Sequence, residues 1–190
     1  MQNILQFDTL IHPDFLQRER LYKDRHPIQE QLHKRWEERF GEIANDPTKA
    51  LIYFSTYHPY EFAGRTIPKN RPLLEEELAR IALLSDLLNH RFVRYNSNDF
   101  PVAQDLHELF EKQGLTYNPA ETKLHAYGEI YEACVTGQGS WGKRLKSELQ
   151  IPDEMYIPDE KLSLTLEQVR SIEAWHRSPE GIIESPLNKA

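Results

Sequence analysis

Apolar positions along this chain alternate between short continuous runs and helical spacing, and that alternation sets the predicted fold. Ile4-Leu5-Gln6-Phe7-Asp8 predicts a short first strand ending at an acid. From Phe15 to Phe40 the chain is rich in charge, with Leu16, Leu21, Leu32, Trp36 and Phe40 as apolar anchors. This segment predicts helix interrupted near His26-Pro27, because proline disfavours helix at the residue before it, with Gly41 as its stop. Residues 50–57 (ALIYFSTY) are almost continuously apolar and aromatic, which predicts a buried parallel strand. A loop over 59–71 leads to a helix that has Pro72 near its first turn and Glu75, Glu76 and Glu77 at its start. Leu74, Leu78, Ile81, Leu84 and Leu88 keep its spacing.

The second half continues the pattern. Residues 90–95 (HRFVRY) predict a third strand. A helix over 101–113, capped by Asn98 or Asp99 and stopped by Gly114, presents Val102, Leu106, Leu109 and Phe110. Residues 122–127 predict a fourth strand, 133–149 a helix weakened by Gly137, Gly139 and Gly142, and 155–157 a fifth strand. Thr165 and Gln168 form a capping box before Val169, Ile172 and Trp175, and 181–185 predict a last strand. The expected fold is α/β: a mainly parallel sheet of about six strands with helices on both faces, in one domain spanning 1–190. Such sheets bind ligands beyond the carboxyl ends of their strands, where strand order reverses.

Charge narrows the partners. The chain has 23 basic and 30 acidic residues, a formal net charge of −7, so neither a nucleic-acid backbone nor an anionic membrane surface is expected as a partner. No apolar run approaches a membrane span, and Met1-Gln2-Asn3-Ile4 does not open a signal peptide. One cysteine in 190 residues fits a reducing cytoplasm. That cysteine, Cys134, follows a strand and a glycine, at the expected start of a helix. A helix N-terminus favours thiolate, the reactive form, although a lone cysteine is more often a small buried hydrophobe. Asp8 after strand one and 56–58 after strand two would stand at the same sheet edge. Asp8 has a structural reading as a turn cap, and His58 one as a hydrogen-bonded loop histidine. His125, inside a strand, reads as structural. The runs Glu37-Glu38 and Glu75–Glu77 read as solvated faces, and the glycine-rich 137–142 as helix packing.

Residues 128–135 (GEIYEACV) resemble the nucleophile motif of the isochorismatase-like cysteine hydrolases, which include the nicotinamidases. Residues 4–15 (ILQFDTLIHPDF) resemble that family's first strand with its catalytic aspartate, matched by Asp8, and its Asp-Phe pair, matched by Asp14-Phe15 with a displacement of two residues. Residues 52–62 (IYFSTYHPYEF) resemble its second strand and Trp-His-Pro segment. The resemblance implies a hydrolase acting on a small amide or related carbonyl compound through a covalent thioester. Cys134 would be the nucleophile, Asp8 the general base, and the N–H groups of Ala133 and Cys134 the oxyanion donors. Tyr57, His58, Tyr95 and Arg94 would line the pocket. It also implies a homo-oligomer, and no cofactor or metal is expected.

The sequence departs from the family at three places. Tyr95 stands where the family has a catalytic lysine, leaving Arg94 or Lys69 as the nearby cations. Thr56 stands where the nicotinamidase metal site has an aspartate, and Tyr131 replaces a threonine or serine. These departures support a second reading, a catalytically inactive relative that binds a ligand or partner. A nucleotide-binding α/β module is a third.

Overall fold

The computed structural model describes residues 1–17, 25–55, 75–95 and 102–178, together with the backbone of 18–20, 61–62 and 65–66. The elements are β1 (Gln2–Ile4), β2 (Gln6–Ile11), α1 (Phe15–Arg20), α2 (Pro27–Asn45), β3 (Lys49–Phe54), β4 (Glu61–Phe62), β5 (Arg65–Thr66), α3 (Glu75–Leu88), β6 (Phe92–Tyr95), α4 (Ala103–Lys112), β7 (Leu115–Tyr117), β8 (Lys123–Gly128), α5 (Trp141–Glu148), β9 (Tyr156–Pro158) and α6 (Leu166–Arg177). A π-turn spans Tyr131–Thr136 between β8 and α5.

Five strands form a parallel sheet in the order β6-β3-β2-β8-β9. From β2 the chain winds outward through β3 to β6, then crosses back to β8 and β9. The order therefore reverses between β2 and β8, the place in such sheets where ligands bind beyond the carboxyl ends of the strands. The α/β architecture is as the apolar pattern predicts. The run 181–185, read as a last strand, lies outside the described residues. A separate parallel pair, β1 with β7, was not anticipated, since each strand is only three residues long. Phe7, Phe110 and Tyr117 hold it to the sheet through ring contacts of 4.9–5.7 Å, each worth roughly 0.5–1.5 kcal/mol beyond burial.

Side-chain alternation assigns the helices to two faces. Phe7 meets α4 through Phe110, whereas the next residue, Asp8, meets α2 through Arg39. Tyr53 reaches Arg80 of α3, whereas Phe54 meets Trp141 of α5. Helices α2 and α3 thus cover one face, α4 and α5 the other. No helix among the described residues is long and apolar enough to cross a membrane.

Helix α2 starts where Pro27 fixes the first turn and His26 caps it through Nδ1, but it does not stop at Gly41. It runs four residues further, and a Cβ on Gly41 would meet nothing within 4 Å. Its inward stripe is Gln29, Leu32, His33, Trp36, Phe40 and Ile43. Trp36 is fully buried and donates from Nε1 to the Leu162 carbonyl (2.9 Å), so the largest apolar anchor of the stripe keeps its polar atom satisfied.

The helix expected over 133–149 is two elements. The chain leaves β8 through the π-turn, breaks at 137–140, and restarts at Trp141 with Ser140 as cap. A side chain on Gly137 would lie 2.2 Å from the Glu132 carbonyl oxygen, so the wide turn closes only over glycine. Gly128, which ends β8, is under a similar constraint. A Cβ there would sit 2.4 Å from the Ile11 carbonyl oxygen and 3.1 Å from the Cys134 Cβ. Gly128→Ala should therefore force β2 and β8 apart and cost roughly 1–3 kcal/mol. An unchanged urea midpoint in that variant would contradict this packing.

Candidate functional site at the carboxyl edge of the sheet

Beyond Ile11 the chain turns sharply. His12 and Asp14 both adopt left-handed backbone (φ 51° and 61°), a conformation costly to residues that carry a Cβ. The turn drives Asp14 into the protein, where it is fully buried. Arg80 of α3 donates from Nη1 to Asp14 Oδ2 (2.6 Å), and Arg25 from Nη2 to Oδ1 (2.7 Å). Burial alone would raise the Asp14 carboxyl. The Arg80 charge and hydrogen bond, with the Arg25 charge, outweigh burial and hold it below the usual carboxylate range. Arg25 also pairs with Glu76 at the rim.

His33 completes this circle. Arg80 Nη2 lies 3.1 Å from His33 Nδ1, and a guanidinium can only donate, so Nδ1 accepts and Nε2 carries the proton. Burial pushes the His33 pKa down to about 3, so the ring is neutral. Its Nε2 lies 3.4 Å from Asp14 Oδ1 without making a hydrogen bond.

Glu129, the first residue after β8, is the second buried carboxyl at this edge. The Leu16 N–H donates to its Oε2 (2.7 Å) and Gln29 Nε2 to its Oε1 (3.0 Å). Gln29 Nε2 also donates to Gln17 Oε1 (3.1 Å). Here burial wins: with help from the Asp14 charge, it pushes the Glu129 carboxyl up to about 8 despite these donors. One edge thus holds an ionised carboxylate and a carboxyl that keeps its proton at neutral pH, a division of roles set by environment.

Cys134 lies on the same edge but in a different setting. It is the fourth residue of the π-turn rather than the start of a helix, and is 5% exposed. Burial pushes its thiol up to about 12. Its N–H donates to the Ile130 carbonyl (2.7 Å), so that donor is occupied, while Ala133 is exposed. The polar side chain beside Sγ is His12, with Nδ1 at 3.9 Å and its ring edge on Trp141.

Asp8 is not at this edge. The first strand continues three residues past it to Ile11, which places Asp8 about 10 Å down the strand from the Gly128 end where Cys134 packs. There it is fully buried in another network. Arg39 donates from Nε to Oδ1 (2.7 Å), Gln6 from Nε2 to Oδ2 (2.8 Å), and His125 Nδ1 lies 3.1 Å away. Burial would raise this carboxyl too, and His125 and Arg39 hold it low. His125 Nε2 reaches Asp159 (2.8 Å), in line with a structural role for that histidine. The expected pairing of Asp8 with Cys134 is therefore not what the fold brings together, because the apolar run Thr9-Leu10-Ile11 keeps the chain in the sheet.

Among the expected pocket residues, Tyr95 is buried against Phe54 with its hydroxyl 3.4 Å from Asp105, and Arg94 donates from Nε to Ser55 Oγ (3.3 Å). Thr56, Tyr57, His58 and Lys69 lie outside the described residues. Sequence reading passed over His33, Gln29, Arg80 and Glu129. The available signal was a polar side chain at a position of the apolar stripe: Gln29 and His33 fall in step with Leu32 and Trp36, and Arg80 with Leu84. Glu77 likewise is fully buried, unlike exposed Glu75 and Glu76, so that run is not wholly a solvated face.

The raised Glu129 pKa has a consequence for stability. Folded Glu129 holds its proton up to about pH 8, against an ordinary value of 4.5. Its favourable contribution is complete below the unfolded value and is lost as pH rises through the folded one. Glu129→Gln, neutral throughout, should gain stability relative to the parent protein between about pH 5 and pH 8.5, by on the order of a few kcal/mol. Parallel urea titrations at the two pH values check this; a constant difference would place the folded pKa near the ordinary one.

Compared with family models, curated proteins and solved structures, the chain matches none of them.

Proposed function

We propose that this chain is a small-molecule-binding α/β domain whose site lies at the carboxyl ends of β2 and β8, and that Cys134 packs there rather than attacks. This is the second of the two readings that the resemblance to isochorismatase-like hydrolases suggests. The observation that carries it is the burial of Cys134, whose thiol stays protonated far above neutral pH. The strained His12–Asp14 turn and the Asp14–Glu129 pair, at the place where such sheets take ligands, support a binding role. A cytoplasmic location and a homo-oligomer belong to the same proposal. The lone cysteine supports the first, and Leu83 and Leu87, exposed one turn apart on α3, supply apolar surface for the second.

One contact favours the hydrolase reading. His12 Nδ1, 3.9 Å from Sγ, could take the thiol proton in the role first given to Asp8. Cys134 would then attack the carbonyl carbon of an amide, the C–N bond would break as His12 returns the proton to the departing amine, and water would hydrolyse the thioester to the acid and the free thiol.

Alkylation separates the two. With iodoacetamide at about pH 7.5, a packed thiol should react only as fast as the protein opens, and Cys134→Ala should cost roughly 1 kcal/mol of stability while leaving ligand binding intact. Rapid labelling of the native protein, faster than a free thiol at the same pH, would overturn the binding-domain reading in favour of the hydrolase.

A further inference from the structure

Resting on that reading of the carboxyl edge, we propose that Gln17, Arg25 and His33 grip the oxygen of a small ligand's carboxyl or carboxamide group. Among the described residues, three nitrogen atoms near Asp14 and Glu129 are buried and lack a hydrogen-bond partner: Gln17 Nε2, Arg25 Nε and His33 Nε2. Each carries a proton. The Gln17 amide accepts through Oε1 from Gln29 and so presents its NH2 away from that bond. Arg25 spends Nη2 on Asp14 and Glu76, leaving Nε–H. The His33 tautomer is fixed by Arg80, leaving Nε2–H. Gln17 and His33 are 6% and 9% exposed, so bulk water does not satisfy them.

Native proteins rarely leave buried donors unpaired, because each orphan carries an uncompensated desolvation cost. All three are donors, and what a set of unused donors calls for is an acceptor. The cluster is also continuous. Gln29 ties Gln17 to Glu129, Gln29 and His33 lie one turn apart on α2, and His33 and Arg25 both lie against Asp14. The charges present limit what can enter. Arg25 and Arg80 favour a single negative charge or a strong dipole, while Asp14 repels a multiply charged group such as phosphate. A carboxylate or a carboxamide oxygen fits both requirements. It also orients a carbonyl compound by its oxygen, with no demand on the thiol.

Sodium acetate, acetamide and inorganic phosphate, added to the full chain, test this. The readouts are melting temperature and the NMR signals of the Gln17 amide, Arg25 Nε–H and His33 Nε2–H. Acetate or acetamide should raise the melting temperature and shift all three signals together. The better of the two identifies the charged or neutral form, and phosphate should do neither. Gln17→Leu, which removes a donor but keeps an apolar stem, should weaken that response at least tenfold. Arg25→Lys, which retains charge without the planar Nε–H, should weaken it as well. Protection of the three N–H groups by ordered water alone, with no shift from either probe, would overturn the proposal. If other fragments perturb Glu129 and Asp14 while these three signals stay fixed, this inference fails and the binding-domain reading stands. Fast alkylation of native Cys134 would instead remove that reading.

Discussion

The ion pair between Asp14 and Arg80 is the constraint on which the carboxyl edge depends. It joins the turn after the central strand to a helix 66 residues later, inside a region where an unpaired charge would cost several kcal/mol. Because Asp14 is fully buried, its ionisation is possible only while Arg80 and Arg25 face it. Arg80 in turn fixes the His33 tautomer, and Asp14 raises the neighbouring Glu129 carboxyl. Burial is the larger cause of the His33 and Glu129 shifts; the pair fixes the His33 tautomer and adds to the Glu129 shift, and the left-handed turn at His12–Asp14 is the backbone arrangement that delivers the carboxylate to that place.

Helix α2 divides the face it covers into two polar clusters with an apolar belt between them. Gln29 and His33 serve the carboxyl edge, Leu32 and Trp36 fill the middle, and Arg39 pairs with Asp8 nearer the other end. Each cluster has a buried aspartate from β2 or its exit, a cation from a helix and a histidine. In the lower cluster the histidine comes from β8 itself, so the pairing register of β2 and β8 decides which polar groups can meet. A one-residue slip would turn Asp8 and His125 to the α4 side, where Phe7 packs on Phe110.

Much of the architecture was legible from the sequence because its signals are local. The apolar run over 50–54, the Thr165–Gln168 capping box and the break before Pro27 each act within a few residues. The candidate site was less legible because its parts are non-local. Asp8 resembles the end of a strand until Arg39 and His125 are known to neutralise it inside the sheet. Asp14 was visible only as half of an Asp-Phe pair, and nothing near it announces Arg80. The reading of residues 128–135 as strand, glycine and helix start missed the π-turn, whose geometry depends on close approaches at Gly128 and Gly137 that a residue pattern does not specify. Those approaches also seal the thiol, which moves attention from Cys134 to the polar groups beside it.

A double-mutant cycle on Asp14 and Arg80 tests most directly whether this buried pair holds the edge together. Asp14→Asn, Arg80→Met and the combined variant would be compared by urea unfolding at neutral pH. Each single change should be strongly destabilising, and the double variant should recover about 2 kcal/mol or more relative to their sum, since removing both partners leaves less buried charge unpaired. Strictly additive losses would show that the two side chains do not act as a unit, and the account of the carboxyl edge built on them would fail.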